Sequence, residues 1–147
     1  MKVGDIVQDF ILKDQDGREF ELYKNLDSNI LLAFYPKDDT PVCSMQLAEY
    51  NDYLEEFIKN GVNVVGISTD SVDSHLNFCG KLKLNFRILA DEDKKVSRQF
   101  NAINFLGMNK RLLVLIGMDK RILWTDSTIP LTYIKASEIL EKVKSLI

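Results

Sequence analysis

The 147-residue chain is short of several things, and each shortage excludes a class of protein. It has two cysteines, Cys43 and Cys79, and one histidine. That inventory cannot build a zinc finger, or an iron–sulfur cluster held by cysteines alone. A disulfide-dense secreted scaffold is also excluded, because a chain this long can bury its own core. Long apolar runs are missing: the longest, Ile30–Tyr35 and Leu112–Ile116, fall far below the ~20 residues that cross a bilayer. The opening Met1-Lys2-Val3-Gly4-Asp5 lacks a signal peptide's apolar stretch, so the cytoplasm, where thiols stay reduced, is the expected location. Basic excess is missing too. Lys and Arg number 19 against 22 Asp and Glu, a net charge of -3, which argues against a nucleic-acid partner. Seven glycines and three prolines are scattered as turn punctuation, with no linker or repeat. Neither G-x-G-x-x-G nor a phosphate-cradling G-x-x-x-x-G-K-[ST] occurs, so no cofactor is expected.

What is present is an ordinary globular composition, 46% hydrophobic and 28% charged, suited to one domain over 1–147. Asp9–Leu22 reads as a hairpin turning at Asp16-Gly17. Asn29–Tyr35 and Val62–Ser68 are nearly continuous apolar, as strands buried on both faces are. Pro41–Asn60 carries one helical pattern through Leu47, Tyr50, Leu54, Phe57 and Ile58. A second helix is expected from about Asp70 to Leu82, with Leu76 and Cys79 on one face. A short strand Phe86–Leu89 and a short helix over Asp91–Phe100, opening on acids and ending with Arg98, follow. Arg111–Ile116 and Arg121–Trp124 read as paired strands, and Ile134–Leu146 as an amphipathic helix. Strands alternating with helices, then an antiparallel pair, predict an α/β fold with a mixed central sheet, flanking helices and an N-terminal hairpin extension.

The richest segment is Phe34-Tyr35-Pro36-Lys37-Asp38-Asp39-Thr40-Pro41-Val42-Cys43-Ser44-Met45-Gln46. Proline suits the first helical turn, so Pro41 places Thr40 at the N-cap and Cys43 in the first turn. Free backbone N–H groups and the helix dipole there favour a thiolate. Taken singly, Cys43 reads equally as a small buried hydrophobe, Thr40 as a cap and Pro36 as a loop stiffener. Asp38-Asp39 reads as a solvated loop and His75 as a solvated helix residue, with no spaced partners that would make a metal site.

Together, Pro36-x-x-x-Thr40-x-x-Cys43 resembles the active-site signature of the peroxiredoxins. The wider run FYPKDDTPVCSMQ is similar to their bacterioferritin-comigratory, or Q-type, branch. The resemblance extends over the opening GD-x-V-x-DF-x-L-x-D-x-x-G run, the ISTDSVDSH segment and the strand begun by Arg111. It implies a thioredoxin-like fold and a thiol peroxidase acting on hydrogen peroxide and organic hydroperoxides. Cys43 would be the peroxidatic nucleophile, oxidised to a sulfenic acid. Thr40 and the Val42 and Cys43 N–H groups would handle the peroxide, and Pro36 would shield the sulfur. Arg111 matches the family's strand arginine, with Arg87, Arg98 and Arg121 as weaker candidates. Gln46 would position that arginine, and Tyr35 is the aromatic before the proline.

In many members of this branch the resolving cysteine stands five residues after the peroxidatic one, where this chain has Ala48. Another subset carries it on the next helix, as Cys79 would. A disulfide needs Cα atoms within about 7 Å, and neighbouring helix starts are farther apart. The pairing therefore requires one helix to unwind, which Gly80 makes easier. The alternative keeps Cys79 structural in a one-cysteine peroxidase. The implied reductant is thioredoxin or a similar dithiol protein. A monomer is expected, with the two late strands as an edge for a dimer. A C-x-x-C carrier is opposed by Cys43-Ser44-Met45-Gln46. A non-enzymatic thioredoxin-fold redox sensor stays open.

Overall fold

The structure, a computed structural model, describes residues 1–147. After the hairpin β1 (Ile11–Asp14) and β2 (Glu19–Glu21), a single 3-10 turn covers Leu22–Asn25. There follow β3 (Asn29–Phe34), α1 (Pro41–Asp52), α2 (Leu54–Lys59), β4 (Val62–Ser68) and α3 (Val72–Leu82). The chain continues through β5 (Ile88–Ala90), α4 (Lys95–Gln99), β6 (Arg111–Ile116), β7 (Ile122–Thr128) and α5 (Ala136–Leu146). The strands form one seven-stranded sheet in the order β2-β1-β5-β4-β3-β6-β7. Pairs β3–β4 and β4–β5 are parallel, and the rest are antiparallel. This is the mixed α/β sheet that the alternation predicted. No helix is long and apolar enough to cross a membrane.

Strand periodicity divides the core in two. Leu31 and Ala33 of β3, with Leu113 and Leu115 of β6, face a cluster that takes in Leu47, Tyr50, Phe57, Phe78, Cys43, Cys79 and Ile139. Ile30, Leu32 and Phe34, with Val114 and Ile116, face the opposite cluster around Phe10, Phe20, Leu22 and Phe100. Because side chains alternate along a strand, Arg111 shares the face of Leu113 and Leu115. The β3–β6 register pairs Ala33 with Leu113. Extended by two residues, it sets Arg111 level with Tyr35. A cation at the start of β6 is thereby aimed at the helix that follows β3.

Three local expectations need correction. The helix predicted over Pro41–Asn60 breaks at Tyr53. Asn51 Oδ1 accepts from the Asn85 N–H at 2.7 Å and its Nδ2 donates to the Lys83 carbonyl at 3.1 Å. Adjacent Asn51 and Asp52 are also weak helix formers. Ile58 is exposed, so the buried row is Leu47, Tyr50 and Phe57. On α3 the buried face is His75, Phe78 and Cys79, while Leu76 is exposed. The acids before α4 act by capping rather than by extending the helix: Asp91 accepts from the Ser97 N–H at 2.6 Å and the Val96 N–H at 3.3 Å.

Gly66 on β4 is required by close approach. A Cβ there would stand 2.5 Å from Ile88 Cγ2 and 3.5 Å from the Tyr35 ring. Gly66→Ala is therefore expected to cost about 1–3 kcal/mol by overpacking. A thermal melt checks this, and an unchanged midpoint would contradict the packing account.

Candidate active site

The loop from β3 to α1 brings the peroxiredoxin-like residues to one point. Thr40 occupies the N-cap of α1 and Pro41 the first position, as expected. The Thr40 hydroxyl does not cap the helix; it donates to the Lys37 carbonyl at 2.9 Å. Its proton is thus engaged, and its lone pairs are left to accept. Ser44 N–H finds Thr40 O at 2.9 Å, whereas the Val42 and Cys43 N–H groups ahead of it donate to no acceptor in the protein. Such open donors at a helix start favour negative charge.

Cys43 is fully buried, and Arg111 and Gln46 are buried beside it. Arg111 Nη1 donates to Cys43 Sγ at 3.1 Å and to Gln46 Oε1 at 3.0 Å, while Nε donates to the Pro130 carbonyl at 3.0 Å. The guanidinium's fixed fork thus spans the sulfur, α1 and the loop after β7. Gln46 Nε2 donates to Tyr50 Oη at 3.2 Å, and Tyr50 Oη donates to the Ile134 carbonyl at 2.7 Å. Burial pushes the Tyr50 hydroxyl above its ordinary range, so it stays a neutral donor. Glu49 Oε2 accepts from the Ala136 N–H at 2.7 Å and ties α1 to the start of α5. Neither Arg111 nor Gln46 is a solvated surface residue. The weaker arginines point elsewhere: Arg87 pairs with Asp14, Arg98 with the Asp93 carbonyl and Arg121 with the Gly4 carbonyl.

Tyr35, buried at the end of β3, donates to Asp38 Oδ1 at 2.6 Å. Burial first, and then the Asp38 charge, drives the Tyr35 hydroxyl well above its usual range. Pro36 is half-buried on the same loop. Sequence reasoning missed the residues below it. Asp38 is buried, not solvated, although Asp39 is exposed, with Lys81 Nζ 3.1 Å from its carboxylate. His75 is likewise fully buried, with Nδ1 2.7 Å from Asp38 Oδ2 and Nε2 2.9 Å from the Leu89 carbonyl. The only signal was the polar run Asp70-Ser71-Val72-Asp73-Ser74-His75, which periodicity reads as solvated. Asp38, Asp70 and His75 lie close enough to share a metal ion. Their donor atoms are already taken by hydrogen bonds to Tyr35, Ser68, Ser74 and one another, so the set does not fit one.

Cys79 is a free thiol on the buried face of α3. Burial, then the charges of Asp38, Asp16 and Asp14, pushes it up to about 12. Inside the intact helix it is a poor nucleophile at neutral pH. The folded chain keeps this proton at pH values where the unfolded chain loses it. Stability therefore falls as pH rises from about 9 to about 12.

The pattern of the AhpC/TSA family matches residues 3–125. The chain is 39% identical over 129 residues to the peroxiredoxin Bcp of Escherichia coli strain K12, covering 83% of each. Among solved structures it resembles the peroxidoxin BcpB of Mycobacterium tuberculosis, with TM-score 0.89 and 29% identity over 100% of this chain and 99% of that one. A Xylella fastidiosa PrxQ variant also matches with TM-score 0.89 and 29% identity, over 99% and 96% of the two chains. Fold and sequence agree, and the chain belongs to the AhpC/TSA family as a peroxiredoxin, a thiol peroxidase of the thioredoxin-like fold.

Proposed function

We propose that this peroxiredoxin reduces hydrogen peroxide and small organic hydroperoxides at Cys43, that Cys79 resolves the product, and that a thioredoxin-type dithiol protein restores both thiols. The observation that carries the reading is the buried contact of Arg111 Nη1 with Cys43 Sγ at 3.1 Å. Attack requires a thiolate, and a fixed cation stands beside the sulfur to meet its charge. The thiolate attacks the nearer peroxide oxygen. The S–O bond forms as the O–O bond breaks, and the leaving oxygen departs as water or an alcohol after taking up a proton. Arg111 and the open Val42 and Cys43 N–H groups stabilise the charge that develops. Because the Thr40 proton is held by Lys37, Thr40 accepts from the peroxide hydroxyl and orients it. Gln46 holds Arg111 in place, and Pro36 and Tyr35 shape the loop above the sulfur.

Cys79 then attacks the Cys43 sulfenic sulfur, forming the S–S bond and releasing hydroxide, which leaves as water. The donor dithiol reduces this disulfide by exchange and becomes oxidised in turn. Such a cycle suits the cytoplasm, where dithiol donors are kept reduced. An intramolecular Cys43–Cys79 disulfide needs no second copy of the chain, so a monomer is the proposed working unit.

The test is single- and multiple-turnover kinetics with hydrogen peroxide and a thioredoxin system. Cys79→Ser is expected to consume one equivalent of peroxide at the parent rate and then stall with thioredoxin. Sustained thioredoxin-driven turnover by this variant would overturn the resolving role and leave a one-cysteine peroxidase.

A further inference from the structure

A buried polar network joins the active-site loop to α3, and apart from Tyr35, which shapes that loop, its members take no part in the chemistry at Cys43. Asp38 Oδ1 accepts from Tyr35 Oη at 2.6 Å. Its Oδ2 accepts from Ser74 Oγ at 2.8 Å and faces His75 Nδ1 at 2.7 Å. The Asp38 N–H donates to Asp70 Oδ2 at 2.9 Å. On the far side of the ring, His75 Nε2 meets the Leu89 carbonyl of β5 at 2.9 Å. A carbonyl only accepts, so Nε2 carries a hydrogen, and Nδ1 and the carboxylate share one proton between them. The ring is thereby pinned at both ends, between the loop that carries Cys43 and the sheet.

His75 stands one helical turn before Cys79 on the same buried face of α3. Cys79 cannot leave that face without disturbing this turn. We propose that the buried Asp38–His75 pair is a latch holding α3 docked, and that its release sets the rate at which Cys79 reaches the oxidised Cys43. The inference rests on the resolving role assigned to Cys79 above. It gives Asp38 two effects in the docked state: it braces the helix, and its charge, second to burial, keeps the Cys79 thiol protonated. Undocking removes both at once, so Cys79 becomes mobile and ionisable in the same event. The latch also sets the lifetime of the Cys43 sulfenic acid, and with it exposure to a second peroxide that would carry it to the sulfinic acid.

Gly80 supplies the counter-experiment. It sits within α3 and is exposed, and a Cβ added there would meet nothing within 4 Å. Alanine at that position strengthens the helix without touching the network.

The test is quenched-flow mass spectrometry of the reduced full chain mixed with hydrogen peroxide, following Cys43 oxidation and Cys43–Cys79 disulfide formation separately. His75→Gln leaves the Asp38 carboxylate without its ring partner and is expected to speed disulfide formation by about tenfold. His75→Asn, whose amide nitrogen takes the place of Nδ1, is expected to stay close to the parent. Gly80→Ala is expected to slow disulfide formation by about fivefold. Cys43 oxidation should keep its parent rate in all three. With excess peroxide, sulfinic acid should fall in His75→Gln and rise in Gly80→Ala. Should His75→Gln not fold, Ser74→Ala removes one bond to the same carboxylate and is expected to speed the step by about threefold. Disulfide formation at the parent rate in His75→Gln, or in Ser74→Ala where that variant stands in, overturns the latch while leaving the resolving role intact. Absence of any Cys43–Cys79 disulfide in the parent protein overturns the resolving role itself.

Discussion

Cys43→Ser is expected to eliminate peroxide reduction, a loss on the order of 10⁶-fold of the kind that removing an enzyme's nucleophile produces. A serine hydroxyl is not ionised at neutral pH and forms no sulfenic acid, so neither the attack nor the resolving step has a starting point. The fold should survive. The new hydroxyl can still accept from Arg111 Nη1, which donates to the sulfur in the parent. Arg111 keeps an acceptor and the volume hardly changes, so a melting midpoint within a few degrees of the parent is expected. Peroxide consumption measured beside the melt separates lost chemistry from lost structure. Parent-like turnover in the Ser variant would move the reaction away from Cys43 altogether.

Arg111→Ala carries the second large effect. It removes the cation that stands 3.1 Å from the sulfur, and the rate of the first step is expected to fall about 10²–10³-fold. Unlike the cysteine change, it should also weaken the fold. Gln46 Oε1 is buried and loses its donor, and the Pro130 carbonyl loses the Nε contact. A stability loss of about 1–3 kcal/mol follows from leaving such groups unpaired. Arg111→Lys restores the charge but not the fork, which needs separate donors for sulfur and for carbonyl. It should recover part of the rate. Stopped-flow oxidation with denaturant melts on both variants checks this. An Arg111→Ala protein that oxidises at the parent rate would remove Arg111 from the peroxide step.

The central strands that frame the site were legible in the sequence. Asn29–Tyr35 and Val62–Ser68 are apolar on both faces, which marks them as central strands. Arg111 was legible only through the family resemblance; the structure adds that its parity with Leu113 and Leu115 gives it their face. Thr40, Pro41 and Cys43 were legible because helix starts have strong local preferences. Asp38 and His75 were not. Their partners lie on separate elements, and a polar residue that is buried and paired has the same local pattern as one that is solvated. Leu76 misled for the complementary reason: an apolar residue on a helix can be left exposed when a buried histidine takes its place on the inner face. The break at Tyr53 also depended on a distant contact, between Asn51 and the loop after α3.

Cys79 stands between these cases. Its position in α3 was legible, but its suppression in the folded state was not, because that comes first from burial in the assembled core and then from acids on the loop after β3 and on the hairpin. The two thiols are therefore unequal at rest. Cys43 is held against a cation, and burial keeps Cys79 protonated in the folded chain.

The most direct test of the account is to treat the reduced Cys79→Ser protein with one equivalent of hydrogen peroxide, trap sulfenic acid with dimedone and map the adduct by peptide mass spectrometry. The account predicts one adduct, on Cys43, formed as fast as peroxide disappears. Peroxide consumed with Cys43 still a free thiol would contradict it.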